Sequence, residues 1–210
     1  VGALCVAHAL ADRGEVELLA VVHNTGYRMA TSAIGVLNRF YGREDLPVGR
    51  ASTDVGKPSK TPGPDWTNHG RGWYVERLVE DFPPRVLERT PSSVEVITEA
   101  LRAAEDHSVT VAAIGHATNL VDLLSAAGGK DLVAQKVKEL VWMGGGREGG
   151  EWNFVATTQA CRPAECGAYQ SVAQLTKQAL EHWPASVVRA TRSPRARTTN
   201  RAHNRTCSGV

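Results

Sequence analysis

The sequence lacks a surplus of charge of either sign. Its 24 Lys and Arg face 22 Asp and Glu, a formal net charge of +2, and most of that excess sits in the last stretch of the chain. Charge therefore makes no demand for a nucleic acid or an anionic membrane as partner. It also lacks cysteine spacing of the metal-binding or disulfide-framework kind. There are 4 Cys; Cys161 and Cys166 are too far apart for a C-x-x-C pair, and Cys5 lies on an apolar helical face. Free thiols in a reducing, cytoplasmic compartment are the expectation. No apolar stretch is long enough to span a bilayer. The apolar opening, Val1 to Leu10, has no basic region before it, which argues against a signal peptide. There is no internal repeat.

What remains is a chain of 210 residues, 42% hydrophobic, enough for one α/β domain with a sizeable core. Val1 to Asp12 reads as a helix, with Ala3, Val6, Ala7 and Leu10 at helical spacing and Gly14 as its stop. No cap precedes Val1, so the chain is expected to start inside an element, as a fragment or an incomplete gene model would. Val16 to His23 is a near-continuous apolar run, predicted to be a strand buried on both faces. Ala30 to Tyr41 returns to helical spacing, and Leu46 to Gly49 reads as a short strand. Residues 52–72 are rich in Pro, Gly, Ser, Asn and Asp and read as a long loop, of the kind that often binds or covers a ligand. Ser93 to His107 is a helix capped by Ser92 or Ser93, with Val96, Ile97, Ala100, Leu101 and Ala104 as its stripe. Val109 to Ile114 is a second strand, Thr118 is read as the cap of a helix over Asn119 to Ala126, and Leu132 to Lys136 is a helical turn. Val137 to Met143 is a third strand ending in Gly144, Gly145 and Gly146, and Gln170 to His182 is a last helix ended by Pro184. Alternating strand and helix predicts a Rossmann-like α/β fold, with a mostly parallel sheet and helices on both faces.

In open parallel sheets ligands bind beyond the carboxyl ends of the strands. The residues there are His23 to Gly26, then Gly115, His116 and Asn119, then Gly144 to Asn153. They are glycines, amides and histidines with the carboxylate Glu151, a set suited to a small molecule bearing hydroxyls. The three glycines are not in a G-x-G-x-x-G or Walker arrangement, which excludes a nucleotide-cofactor loop.

Several of these segments resemble one family. Val109 to Leu120 is similar to the segment ending in Gly-x-x-Thr-Asn of the inosine/uridine-preferring nucleoside hydrolases. Val137 to Gly146 resembles their strand ending in Met-Gly-Gly, and Glu151-Trp152-Asn153 resembles their Glu-Phe-Asn. Gly14-Glu15 with Leu18 to Val21, and Tyr41-Gly42-Arg43 with Leu46 to Gly49, resemble two earlier segments. The resemblance runs in register from Val1 to about Asn153, with a weaker trace to Pro184.

The resemblance implies a Rossmann-like domain that cleaves the ribose–base bond of ribonucleosides with a bound Ca²⁺. The ribose-binding pair maps to Glu151 and Asn153, and Asn24 is a further candidate for ribose contact. The one metal ligand that maps is the backbone carbonyl of Ile114. The family's Asp-rich turn, its late Asp and its leaving-group His match nothing in this chain, so no catalytic residue is assigned. Domain 1–188 is expected to lack the family's first strand and C-terminal part, to retain no Ca²⁺ and to be inactive alone. Its partner is a small-molecule nucleoside, with no membrane or nucleic acid, and the family often forms homo-oligomers. A noncatalytic binding module on the same fold is the alternative reading.

Other residues are read more simply. His116 takes a structural role, Asn119 ties a loop at a helix start, and Trp142 belongs to the core. His69 and Trp73 fall in the long loop, where the family often contacts the base. From Arg189 onward, Arg alternates with Thr, Ser and Asn without apolar period. This is read as an unfolded tail, as a translated intron or a shifted frame would give, in preference to a basic arm for nucleic acid.

Overall fold

The computed structural model describes residues 2–24, 29–51, 54–55, 74–83, 90–144, 159–161 and 170–190. Glu151, Asn153, His69, Trp73, Cys166, most of the 52–72 loop and the Arg-rich tail beyond 190 lie outside the described residues.

The first helix, α1 (Gly2–Asp12), is followed by Gly14 at φ 71, a left-handed conformation that glycine adopts without steric cost. Strand β1 (Val21–Val22) leads into helix α2 (Ala30–Phe40), then strand β2 (Val48–Gly49). The predicted strand over Val16 to His23 is much shorter than expected, and Leu18 to His23 are half-buried rather than buried. The reason is tertiary: among the described residues β1 has β2 as its one ladder partner, and β2 is itself two residues long.

Helix α4 (Ser93–Ala103) is the clearest local success. The Ser92 hydroxyl accepts from the Glu95 N–H at 3.2 Å, and the Glu95 carboxylate accepts from the Ser92 N–H at 2.7 Å. This capping box satisfies two donors that the first turn leaves open. The helix ends earlier than predicted, because Ala104 turns to extended backbone. Helix α3 (Tyr74–Asp81) precedes it and was not anticipated.

Strand β4 (Val109–Ala113), helices α5 (Thr118–Ser125) and α6 (Gly129–Lys136), and strand β5 (Val137–Met143) follow in right βαβ order. Gly128, at φ 71, joins the two helices. Helix α7 (Val172–His182) and strand β8 (Ser186–Ala190) complete the unit. Strands β4, β5 and β8 form a parallel sheet in the order β4-β5-β8. Three short strands, β3 (Asp54–Val55), β6 (Gln159–Cys161) and β7 (Gln170–Ser171), form a separate antiparallel sheet. The architecture is α/β, with largely parallel strands flanked by helices on both faces.

The main core lies between β4-β5-β8 and helices α4 to α7, with Leu101, Leu123, Val133, Leu140, Trp142 and Val172 almost wholly enclosed. Period-two alternation puts Ile114, Met143 and Val188 on the other face, where they are exposed. A second polar joint holds α1 to α2. His8, fully buried, donates from Nε2 to Asn38 Oδ1 at 3.0 Å and stacks on Tyr41 at 4.6 Å.

Candidate functional site

The carboxyl ends of β1 and β4 are brought together although the two strands are not hydrogen-bonded to each other. What joins them is a set of side chain–backbone hydrogen bonds. Asn24, just beyond β1, donates its amide to the His116 carbonyl at 2.8 Å. Asn119, at the start of α5, donates its amide to the His23 carbonyl at 3.1 Å. The Thr118 hydroxyl makes a longer bond, 3.5 Å, to the Asn24 carbonyl. His23 in turn meets the Thr31 hydroxyl at 2.9 Å, tying the end of β1 to α2.

The loop between β4 and α5 starts at Ile114, whose side chain is 56% exposed, and then plunges inward. His116 is 4% exposed and Ala117 is fully buried. The Gly115 carbonyl accepts from the Trp142 indole N–H at 3.1 Å. A buried indole N–H needs an acceptor, and the neighbouring strand's loop supplies one. A Cβ at Gly115 would run into the Asn24 side-chain amide, so any larger residue there requires Asn24 to move.

Of the residues singled out from sequence, Asn24 and Ile114 are thus gathered at one end of the sheet, while Glu151 and Asn153 lie outside the described residues. His116 is enclosed, in keeping with a structural role, and Asn119 ties a loop as expected. Thr118 does not cap α5 with its side chain. It is the first residue of the helix; Ala117 holds the cap position, and the Thr118 hydroxyl is directed to Asn24 instead. Trp142 lies in the core as expected, but its hydrogen bond to the loop was not foreseen. The signal was present: strand alternation buries residue 142, and a buried indole must place its N–H on something.

Calcium calls for about six to eight oxygen ligands. Among the described residues no three His, Cys, Asp or Glu side chains are gathered to hold a metal. The described groups at the ends of β1 and β4 are backbone carbonyls, amides, hydroxyls and imidazoles, without a carboxylate. This donor set does not fit Ca²⁺, and no reaction step is assigned to a metal.

Comparison with known proteins puts these features in a family. A solved structure from Bacillus anthracis, an inosine-uridine preferring nucleoside hydrolase, shares the fold at a TM-score of 0.58 and 20% sequence identity. The match covers 88% of this chain, and the chain spans 59% of the length of that relative. No curated protein matches the chain. The sequence profile described as inosine-uridine preferring nucleoside hydrolase matches residues 2–164, most of the molecule. The chain belongs to the inosine-uridine preferring nucleoside hydrolase family.

Proposed function

We propose that this chain carries the ribose-gripping part of an N-glycosidase fold and does not hydrolyse nucleosides by itself. Its ligand is a ribonucleoside, held at the carboxyl ends of the parallel strands by Asn24, Glu151 and Asn153, with the Ile114 carbonyl at the family's metal-ligand position. The observation that carries this reading is the family match over residues 2–164, which spans all four. Oriented amides and a carboxylate are suited to gripping sugar hydroxyls.

Hydrolysis asks for more than grip. The C1′–N bond breaks with its electron pair leaving on the base, while water adds to an oxocarbenium-like carbon and gives up a proton. By analogy with inverting glycosidases, a carboxylate takes that proton. The described strand ends offer none, and an Asp-x-Asp-x-x-x-Asp-Asp turn occurs nowhere in the 210 residues. The domain, residues 1–188, is accordingly proposed to lack the family's first strand. Support comes from β1 and β4, whose ends are tied together although the two strands share no ladder with each other. A parallel strand between them would satisfy both edges. Strand β8 extends that domain to Ala190, two residues into the stretch read as tail.

The same reading takes the protein to be cytoplasmic and without a nucleic-acid partner, in a family whose members often form homo-oligomers. No described helix is long and apolar enough to cross a membrane.

The test is direct. Inosine and uridine are incubated with the chain, with and without calcium chloride. Free base is measured by chromatography and nucleoside binding by calorimetry. Binding without base release is expected under both conditions. Turnover on adding calcium would refute the claim of inactivity. Absence of any nucleoside binding would refute the ribose reading and leave only the fold.

A further inference from the structure

We infer that Trp142 and Asn24 are positioning residues that hold the Ile114–Ala117 loop rigid beneath the ligand. The inference rests on the ribonucleoside reading above, and goes beyond it by assigning a role to Trp142 on β5. Gly115 is the weak point of that loop. Asn24 fills the place a Cβ would take, yet glycine gives the backbone the widest freedom. Two consecutive carbonyls are captured to remove that freedom. Gly115 is held by the Trp142 indole at 3.1 Å and His116 by the Asn24 amide at 2.8 Å. The two donors come from different strand ends, so the peptide planes that follow Ile114 are fixed at successive points.

Packing alone does not account for Trp142. It is fully enclosed, and its ring contributes to the core. A phenylalanine would supply most of the same apolar contact, but only tryptophan offers an N–H to Gly115. A preorganised backbone binds its ligand without first being ordered, which is what supporting hydrogen bonds contribute to a site.

The experiment uses the full chain and three variants: Trp142→Phe, Asn24→Ala and Val133→Ala. Val133 is fully buried in α6 and makes no part of the loop, so its variant reports general loss of core packing. Nucleoside affinity is measured with inosine by calorimetry, and amide hydrogen exchange by NMR. Trp142→Phe and Asn24→Ala are each expected to weaken inosine binding about tenfold, the scale of one lost buried hydrogen bond. Amide exchange at 115–117 should rise by a similar factor without matching changes in α6. Val133→Ala should leave binding unchanged. Equal inosine affinity in Trp142→Phe and the unaltered chain would overturn the inference, as would equal losses in Trp142→Phe and Val133→Ala. Should the unaltered chain bind no inosine, the ribose reading fails separately. Exchange then decides: a rise confined to 115–117 upholds the clamp, and a uniform or absent rise overturns it.

Discussion

Replacing Gly115 with alanine should destabilise the protein, and removing the Asn24 side chain should reverse that effect. The three atoms nearest a Cβ on Gly115 all belong to the Asn24 side chain, with Oδ1 at 2.8 Å and Cγ at 2.9 Å. Asn24 cannot simply swing aside, because its amide is held by the His116 carbonyl. Inserting a methyl into a filled site costs roughly 1–3 kcal/mol. Losing the Asn24 bond adds about 1 kcal/mol. Restricting the unfolded chain by changing Gly to Ala returns about 0.4–1 kcal/mol. The net loss for Gly115→Ala is therefore roughly 1–3 kcal/mol. In an Asn24→Ala background the obstructing atoms are gone and only the chain-entropy term is left. Gly115→Ala should then be neutral or stabilising by up to about 1 kcal/mol. Urea unfolding of the four proteins, followed by tryptophan fluorescence, gives the coupling, expected at about 2–4 kcal/mol because the chain-entropy part is common to both backgrounds. If the two changes add to within about 0.5 kcal/mol, the close approach of residues 24 and 115 is not what restricts position 115.

Three other perturbations test the scaffold. Ser92→Ala removes half of the capping box of α4 and should lower stability by about 1 kcal/mol in urea unfolding, with Ser92→Gly losing less. Gly49→Ala would set a Cβ 2.9 Å from the Ser93 backbone and from Val22 Cγ1, and should lower the melting midpoint through a loss of roughly 1–3 kcal/mol. Asp106 tests acid sensitivity. Its hydrogen bond from Lys136, and then that from Gln135, hold its carboxyl below the ordinary value of 3.8. A lowered carboxyl stabilises the fold above 3.8, and that contribution disappears as pH falls through the lower folded value. Asp106→Asn should thus be slightly less stable than the parent at neutral pH and indistinguishable from it well below 3.8, as read by thermal melts across pH.

The parts of the fold that were legible in sequence are those decided by neighbours in sequence. Helix α4 carries its own stripe and its own cap, and β5 was predicted over the residues it occupies, Val137–Met143. Where a partner distant in sequence decides, the reading slipped. Val16 to Val22 has the composition of a strand, but a ladder needs a neighbour, and β2 offers pairing only at Val21 and Val22. Arg189 was assigned to the tail by its company of arginines. It belongs to β8, because β5 presents Trp142 as its ladder partner. The antiparallel sheet of β3, β6 and β7 went unseen, since strands of two or three residues leave no alternation to detect.

The site divides in the same way. Its location followed from a general rule, that the loops after parallel strands face one side, and Asn24, His116 and Asn119 were picked out on that ground, whereas Ile114 came from the family resemblance. What could not be read was which group each side chain serves. Asn24 is the candidate for ribose contact, and the structure adds that its amide nitrogen donates to the His116 carbonyl. Asn119 gives its nitrogen to His23, while its Oδ1 is buried without a hydrogen-bond partner among the described residues. An orphaned buried acceptor costs about 1–3 kcal/mol. The sequence placed Asn119 at a helix start tying a loop, and the structure adds which loop: its amide reaches the His23 carbonyl beyond β1.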